Sequence, residues 1–252
     1  MKKILLILLC FGFGIGCNSK SDNKPAENAS ASGKAVETPS TPEAPKPVAP
    51  VKMDSLVTPV GMKKLGAAQG DLDKDGKDEM VAVFDTKKQT DFGTERQVQI
   101  FKQDGSAWKL WHTSIGAVLP SEHGGVMGDP FEEVSIENGV IVIAHFGGSR
   151  EKWHYTHRYR LQGGKFQLIG ATNSSGEPCV GFETYDYNLS TGKVEVDKGT
   201  ESCDEKTGEE KKSSSAKSSF MAKLNKPVLM DGFEPGGNEV KIPNKTDESF
   251  YY

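Results

Sequence analysis

The sequence predicts an all-β domain, an antiparallel meander of hairpins, propeller-like or sandwich-like, set behind a disordered N-terminal linker. Three observations predict it. Helical periodicity is nearly absent beyond about residue 54. Two-residue turn signals, Asp104-Gly105, Asn138-Gly139, Gly163-Gly164 and Thr191-Gly192, punctuate the chain at intervals of about 25 to 35 residues. Such pairs favour the positive φ angles of tight hairpins. Each is followed by a short segment of strand character: Ala107–Trp111, Val140–Ala144, Phe166–Ile169 and Val194–Val196. Recurring hairpins are expected of meanders and of propeller blades. The chain offers ten or eleven strands, fewer than four four-stranded blades require.

The N-terminus reads differently. Lys2 and Lys3 precede an almost wholly apolar run, Ile4 to Phe13, and then Gly14, Ile15, Gly16 and Cys17. A basic start, a short apolar stretch and small residues describe an export signal over 1–16; a membrane span needs about 20 apolar residues. The Gly-x-Gly-Cys ending resembles the lipobox of bacterial lipoproteins, with Gly14 where that family usually has Leu. The resemblance implies lipidation at Cys17 and, through Asn18, attachment at the cell outer membrane. Ordinary cleavage leaving a free thiol is the alternative. Residues 17–53 form a Pro/Ser/Ala-rich tether ending in Pro39, Pro42, Pro45, Pro47 and Pro50. It carries too little apolar surface to fold, and its prolines keep it extended. As a coil it holds the domain about 30 Å from its anchor.

The folded domain is expected over 54–230, opening on an acidic loop. Asp71, Asp73 and Asp75 alternate before Gly76, followed by Lys77, Asp78 and Glu79. Alternate acidic residues around a turning glycine supply inward-pointing oxygens for calcium, which takes six to eight at about 2.3–2.6 Å. The expected ligands are Asp71, Asp73, Asp75, the Lys77 carbonyl and Glu79. An EF-hand would place a bidentate Glu at the twelfth position; that position is Ala82, inside the apolar run Met80–Phe84, which reads as a buried strand. The D-x-D-x-D-G-x-x-[DE] loop running into a strand resembles the calcium loops of integrin-α-type (FG-GAP) β-propellers, with Glu79 where that family more often has Asp. The resemblance covers one loop. It implies a structural calcium ion and a protein or glycan partner. Magnesium fits less well because it demands stricter octahedral geometry.

Further along, Trp153 to Leu161 alternates strictly. Trp153, Tyr155, His157, Tyr159 and Leu161 share one face, and His154, Thr156, Arg158 and Arg160 share the other. An aromatic core face with a solvated basic face is one reading. The other is a ligand face, with Trp153, Tyr155 and Tyr159 stacking on sugar or peptide and Arg158 and Arg160 gripping carboxylates. The glycine runs Gly124–Phe131 and His145–Arg150 lack the Gly-Lys-[Ser/Thr] of a phosphate-binding loop and read as tight connections. Together with Asp186–Lys193 they resemble an uncharacterised group of exported bacterial proteins, which implies no activity. Asp204–Ser219 is charged and of low complexity, expected as a mobile loop. Residues 231–252 form a polar tail rich in Gly, Pro and Asn, and its end, Phe250–Tyr252, is expected to dock loosely or stay free.

Cys179 and Cys203 are an even pair in an exported domain, which predicts a disulfide, two free thiols being the alternative. The chain has a formal net charge of −4, and loss of the signal makes it more acidic, which argues against a nucleic-acid partner. His112, His123, His145, His154 and His157 fall in no recognised zinc spacing, and no nucleophile elbow is present. The expectation is a lipid-anchored, non-enzymatic, calcium-binding module. The alternative is an envelope hydrolase assembled from distant residues such as His145, His157 and Asp129.

Overall fold

The computed structural model describes residues 56–204 and 206–252. The export signal, Cys17 and the tether therefore lie outside the described residues. Thirteen strands follow in order: β1 Lys63–Gly70, β2 Glu79–Thr90, β3 Gly93–Asp104, β4 Ala107–Ile115, β5 Phe131–Glu137, β6 Val140–Gly148, β7 Lys152–Gln162, β8 Lys165–Glu177, β9 Gly181–Asn188, β10 Lys193–Cys203, β11 Glu210–Met221, β12 Glu239–Lys241 and β13 Ser249–Tyr251. Among the described residues there is no helix.

The strands form an antiparallel meander in two main sheets, β1-β2-β3-β4 and β11-β10-β9-β8-β7-β6-β5, with β12-β13 as a separate hairpin. The sheets are open and do not close into a propeller. All four predicted turns connect neighbouring strands. Asn138 and Gly139 have φ of 52° and 77°, and Gly163 and Gly164 have 57° and 76°, the paired positive angles of a type I′ turn.

β2 is buried on both faces from Glu79 to Asp85. Val81 and Val83 join the main core, which runs between the sheets through Ile141, Ile143, Tyr159, Leu168 and Tyr187. Met80, Ala82 and Phe84 point the other way, into a smaller cluster with Leu56 and Phe101. This two-sided burial is why Met80–Phe84 is continuously apolar instead of alternating. Across from Asp85 in the β2–β3 register stands Arg96, almost inaccessible to solvent. It pairs with Asp85 and with Asp129 of the connection before β5, each at 2.5 Å. Burial pushes the Asp85 carboxyl up, but hydrogen bonds from Lys87 and Thr94 and the charge of Arg96 outweigh it, holding the group down at about 2.

Two segments differ from expectation. Residues 210–219 are not a mobile loop: they belong to β11, paired along β10 from Lys193↔Met221 to Cys203↔Glu210. Their Ser- and Lys-rich composition suits an edge strand, where lysine discourages further pairing. The C-terminal segment is not loose either. Phe233, Val240, Phe250 and Tyr252 are all buried in the main core, and Phe250 stacks on Tyr185 with centroids 4.7 Å apart.

Cys179 and Cys203 form a disulfide, joining the β8–β9 turn to the end of β10. With the half-cystines 24 positions apart in sequence, the loss of the link as Cys179→Ser with Cys203→Ser is expected to cost about 3 kcal/mol in urea unfolding. A double variant matching wild type in midpoint and slope would show that the link does not constrain the unfolded chain.

The inner face of β6 and β7 buries two histidines completely. His145 accepts a hydrogen bond from the Leu119 amide through Nε2 at 3.3 Å, while its Nδ1 and both ring nitrogens of His157 are without partners. Burial pushes His145 down from 6.5 to about 3, with His123 adding to the effect. Burial also lowers His157 well below its ordinary value, aided by His145 and Arg158. Both folded-state values lie below the unfolded one, so the stability held by keeping these rings neutral is complete above pH 6.5 and is lost as pH falls through the lowered values, about 3 for His145. Each ring contributes up to about 1.4 kcal/mol per pH unit across that window. His157→Phe is expected to flatten the acid limb of stability against pH by about one proton. Identical limbs for variant and wild type would refute the assignment.

Candidate metal centre

β1 and β2 are a hairpin, and the acidic segment is its loop. Gly70 pairs with Glu79, so residues 71–78 bulge out between two fixed strand ends. Asp71 organises the turn: its Oδ1 accepts from the Lys74 amide at 2.6 Å and its Oδ2 from the Gly76 amide at 3.0 Å. Asp73 Oδ1 accepts from the Asp75 amide at 3.2 Å, and Asp75 Oδ1 from the Lys77 amide at 2.8 Å. These Asx-type turns let short carboxylates stand in for backbone acceptors. Gly76 has φ 85° and open space where a Cβ would sit, so backbone angle rather than crowding selects glycine there.

Asp71, Asp73 and Glu79 each bring a carboxylate oxygen within 4.8 Å of the others, and the group can hold a metal ion. Glu79 is buried at the first position of β2, and its Oε2 accepts from the Leu72 amide at 2.8 Å beneath the loop. Burial pushes its carboxyl up; the Leu72 hydrogen bond and Lys102 oppose this, while Asp73 adds to it. A cation at the cluster offsets the cost of keeping that carboxylate ionised. Asp75 lies outside the three-residue group, and both Asp75 and Lys77 are exposed. Three of the five expected ligands, Asp71, Asp73 and Glu79, thus converge as carboxylates, and Asp75 Oδ1 also serves the turn.

Lys102 is the participant that sequence reasoning missed. Its ammonium pairs with Asp73 Oδ2 and lies 4.1 Å from the centroid of the Trp111 ring. The Asp73 hydrogen bond raises the Lys102 pKa against the opposing effect of burial, and the charges of Asp73, Glu79 and Asp75 add to the rise. Extending the Met80↔Phe101 pairing by one residue sets Lys102 opposite Glu79. A register shift between Asp85 and Gln89 hides this from anyone counting outward from the β2–β3 turn.

The loop also touches the second sheet. A Cβ on Gly70 would come within 2.7 Å of Ile136 on β5, and one on Gly139, in the β5–β6 turn, would sit 3.0 Å from the Asp71 carbonyl oxygen. Gly139 also has positive φ, so both angle and space demand glycine. Gly139→Ala is expected to cost about 1–2 kcal/mol from the left-handed angle alone, read by chemical denaturation. A loss under half that would mean the turn yields freely and does not press on the loop.

The remaining predicted positions separate. Tyr159 is fully buried in the core and is not available to a ligand. Arg158 and Arg160 lie on the opposite face of β7 from the aromatics, and Arg158 donates to the Thr172 hydroxyl at 2.9 Å. The aromatics and arginines therefore do not form one surface. Trp153 and Tyr155 remain half-buried at the end of the strand and stack with centroids 4.9 Å apart. His145 and His157 have no accessible surface, and Asp129 is engaged by Arg96, so the alternative hydrolase residues are not presented together to solvent. Compared with known proteins, the chain matches no family model, no curated protein and no solved structure.

Proposed function

We propose that this chain is a lipid-anchored protein of the cell outer membrane whose β-domain carries one structural calcium ion and serves as a non-enzymatic binding module. The observation that carries the reading is the convergence of Asp71, Asp73 and Glu79 within 4.8 Å, in a loop that a neighbouring glycine turn holds against the second sheet. Hard carboxylate oxygens select calcium or magnesium over softer metals. Three carboxylates at one point suit calcium, which takes six to eight oxygens in adaptable geometry, better than magnesium, which keeps several waters and is usually held by one or two carboxylates. Export is supported by the basic and apolar N-terminus ending in Cys17, and the Cys179–Cys203 disulfide suits an oxidising compartment. The acidic balance supports a partner other than nucleic acid.

In this reading Lys102 is the counter-ion of the metal-free loop and calcium competes with it for Asp73. Calorimetry should show calcium binding to wild type, a loss of at least about tenfold in affinity for Asp73→Asn, and a gain for Lys102→Met. Calcium at 100 times its Kd should add about 2.7 kcal/mol of stability. Absence of binding heat together with an unmoved melting temperature in excess calcium would end the metal reading.

A further inference from the structure

We propose that the cleft where Trp153, Tyr155 and Tyr251 meet is a binding site for a neutral, all-equatorial sugar chain. This deepens the binding-module reading above and rests on it. The cleft is a shallow, open one of about 750 Å³ between the ends of β6, β7 and β8, the 124–128 loop and the C-terminal hairpin. That volume lies in the range of small-ligand sites.

Its aromatic floor is built rather than accidental. A Cβ on Gly147 would come within 2.2 Å of the Trp153 indole, and one on Gly236 within 2.9 Å of the Tyr155 hydroxyl. Glycines at both places let the rings lie close against backbone. Trp153 and Tyr155 stack at 30° between planes. A pair that close leaves no gap for a cation between its faces, so the site is a platform and not a cage of crossed rings.

The polar groups of the lining set the chemistry. Asn173 is more than nine-tenths buried. Its Nδ2 donates to the Tyr251 carbonyl at 2.7 Å, while its Oδ1 has no partner. An unpaired amide oxygen is costly in a buried setting and is relieved by a hydroxyl donor. Ser149 and Ser175 add hydroxyls, and Glu151 is the one charged side chain in the lining. The basic groups at the rim are already engaged, Lys152 by the Ser149 carbonyl and Arg150 by Glu177, and none is in the lining itself, so a neutral ligand suits the cleft better than an anionic one. Neutral hydroxyls answer an amide, two serines and one carboxylate, while the C–H face of an all-equatorial pyranose answers the aromatic floor. Val126 borders the same cleft and is 83% exposed at the tip of its loop, an apolar contact for a second ring along the chain.

The test is titration calorimetry on the full chain with cellohexaose, with a polygalacturonate oligomer as the anionic comparator and tetramethylammonium as the cationic one. Cellohexaose should bind, and Trp153→Ala should weaken it about tenfold or more. Val126→Asp, on an exposed loop where folding is not at stake, should weaken it severalfold. Calcium heats are recorded on each sample. Calcium binding without cellohexaose binding overturns the cleft and leaves the metal reading standing; cellohexaose binding without calcium heat does the reverse. Binding of either comparator in place of cellohexaose, or unchanged affinity in both variants, also overturns the proposal.

Discussion

The seam between β1 and β5 is the constraint on which the architecture depends. Two open antiparallel sheets must each cover one face, and they do so by close approach at points where a side chain is missing. Gly66 faces Phe131 and Val134, Gly70 faces Ile136, and Gly139 faces the Asp71 carbonyl. Glycine at these positions brings backbone against side chain without a gap and closes the face of β2 that carries Val81 and Val83, while Leu56 and Phe101 cover the other. The carboxylate loop sits at one end of this seam. Its geometry is therefore set by packing between sheets as much as by its own residues. Charge at Asp71, Asp73 and Glu79 and the placement of the second sheet become parts of one arrangement.

Much of the fold was legible because local chemistry and global topology agree. Asn138-Gly139 and Gly163-Gly164 adopt the angles their composition favours, and the strands after them carry β-branched and aromatic residues that pack inward. Where the reading failed, the signal was non-local. β11 is Ser- and Lys-rich and looks like solvated linker; its order comes from the ladder to β10, which no window of sequence contains. Phe233, Val240, Phe250 and Tyr252 are scattered among Gly, Pro and Asn at no regular spacing. Val240 stands opposite Phe250 in the β12–β13 hairpin and Phe233 stacks on Tyr252, contacts that no short window of sequence contains.

The candidate metal centre divides in the same way. Asp71, Asp73 and Glu79 were visible as a motif because donor spacing in a short loop is a sequence property. That Asp75 also serves the turn was not visible, since one alternating pattern satisfies both roles. Lys102 was hidden by a bulge in the intervening hairpin. The pairing of Trp153 with the Asn173 amide in one cleft required the register of β7 and β8, in which Tyr155 stands opposite Asn173. The split of Arg158 and Arg160 from the aromatics follows from strand alternation alone.

The contact between Lys102 and the Trp111 indole has an optical consequence. A cation resting on an indole face perturbs its excited state, and this ammonium is held there by its tie to Asp73. Trp111 in turn meets Phe166 of the larger sheet edge-on, with centroids 5.4 Å apart. Any ion that frees the ammonium from Asp73 changes the field at that ring. The molecule thus carries an intrinsic fluorophore at the boundary between its two sheets, positioned to report the state of the loop without an attached dye.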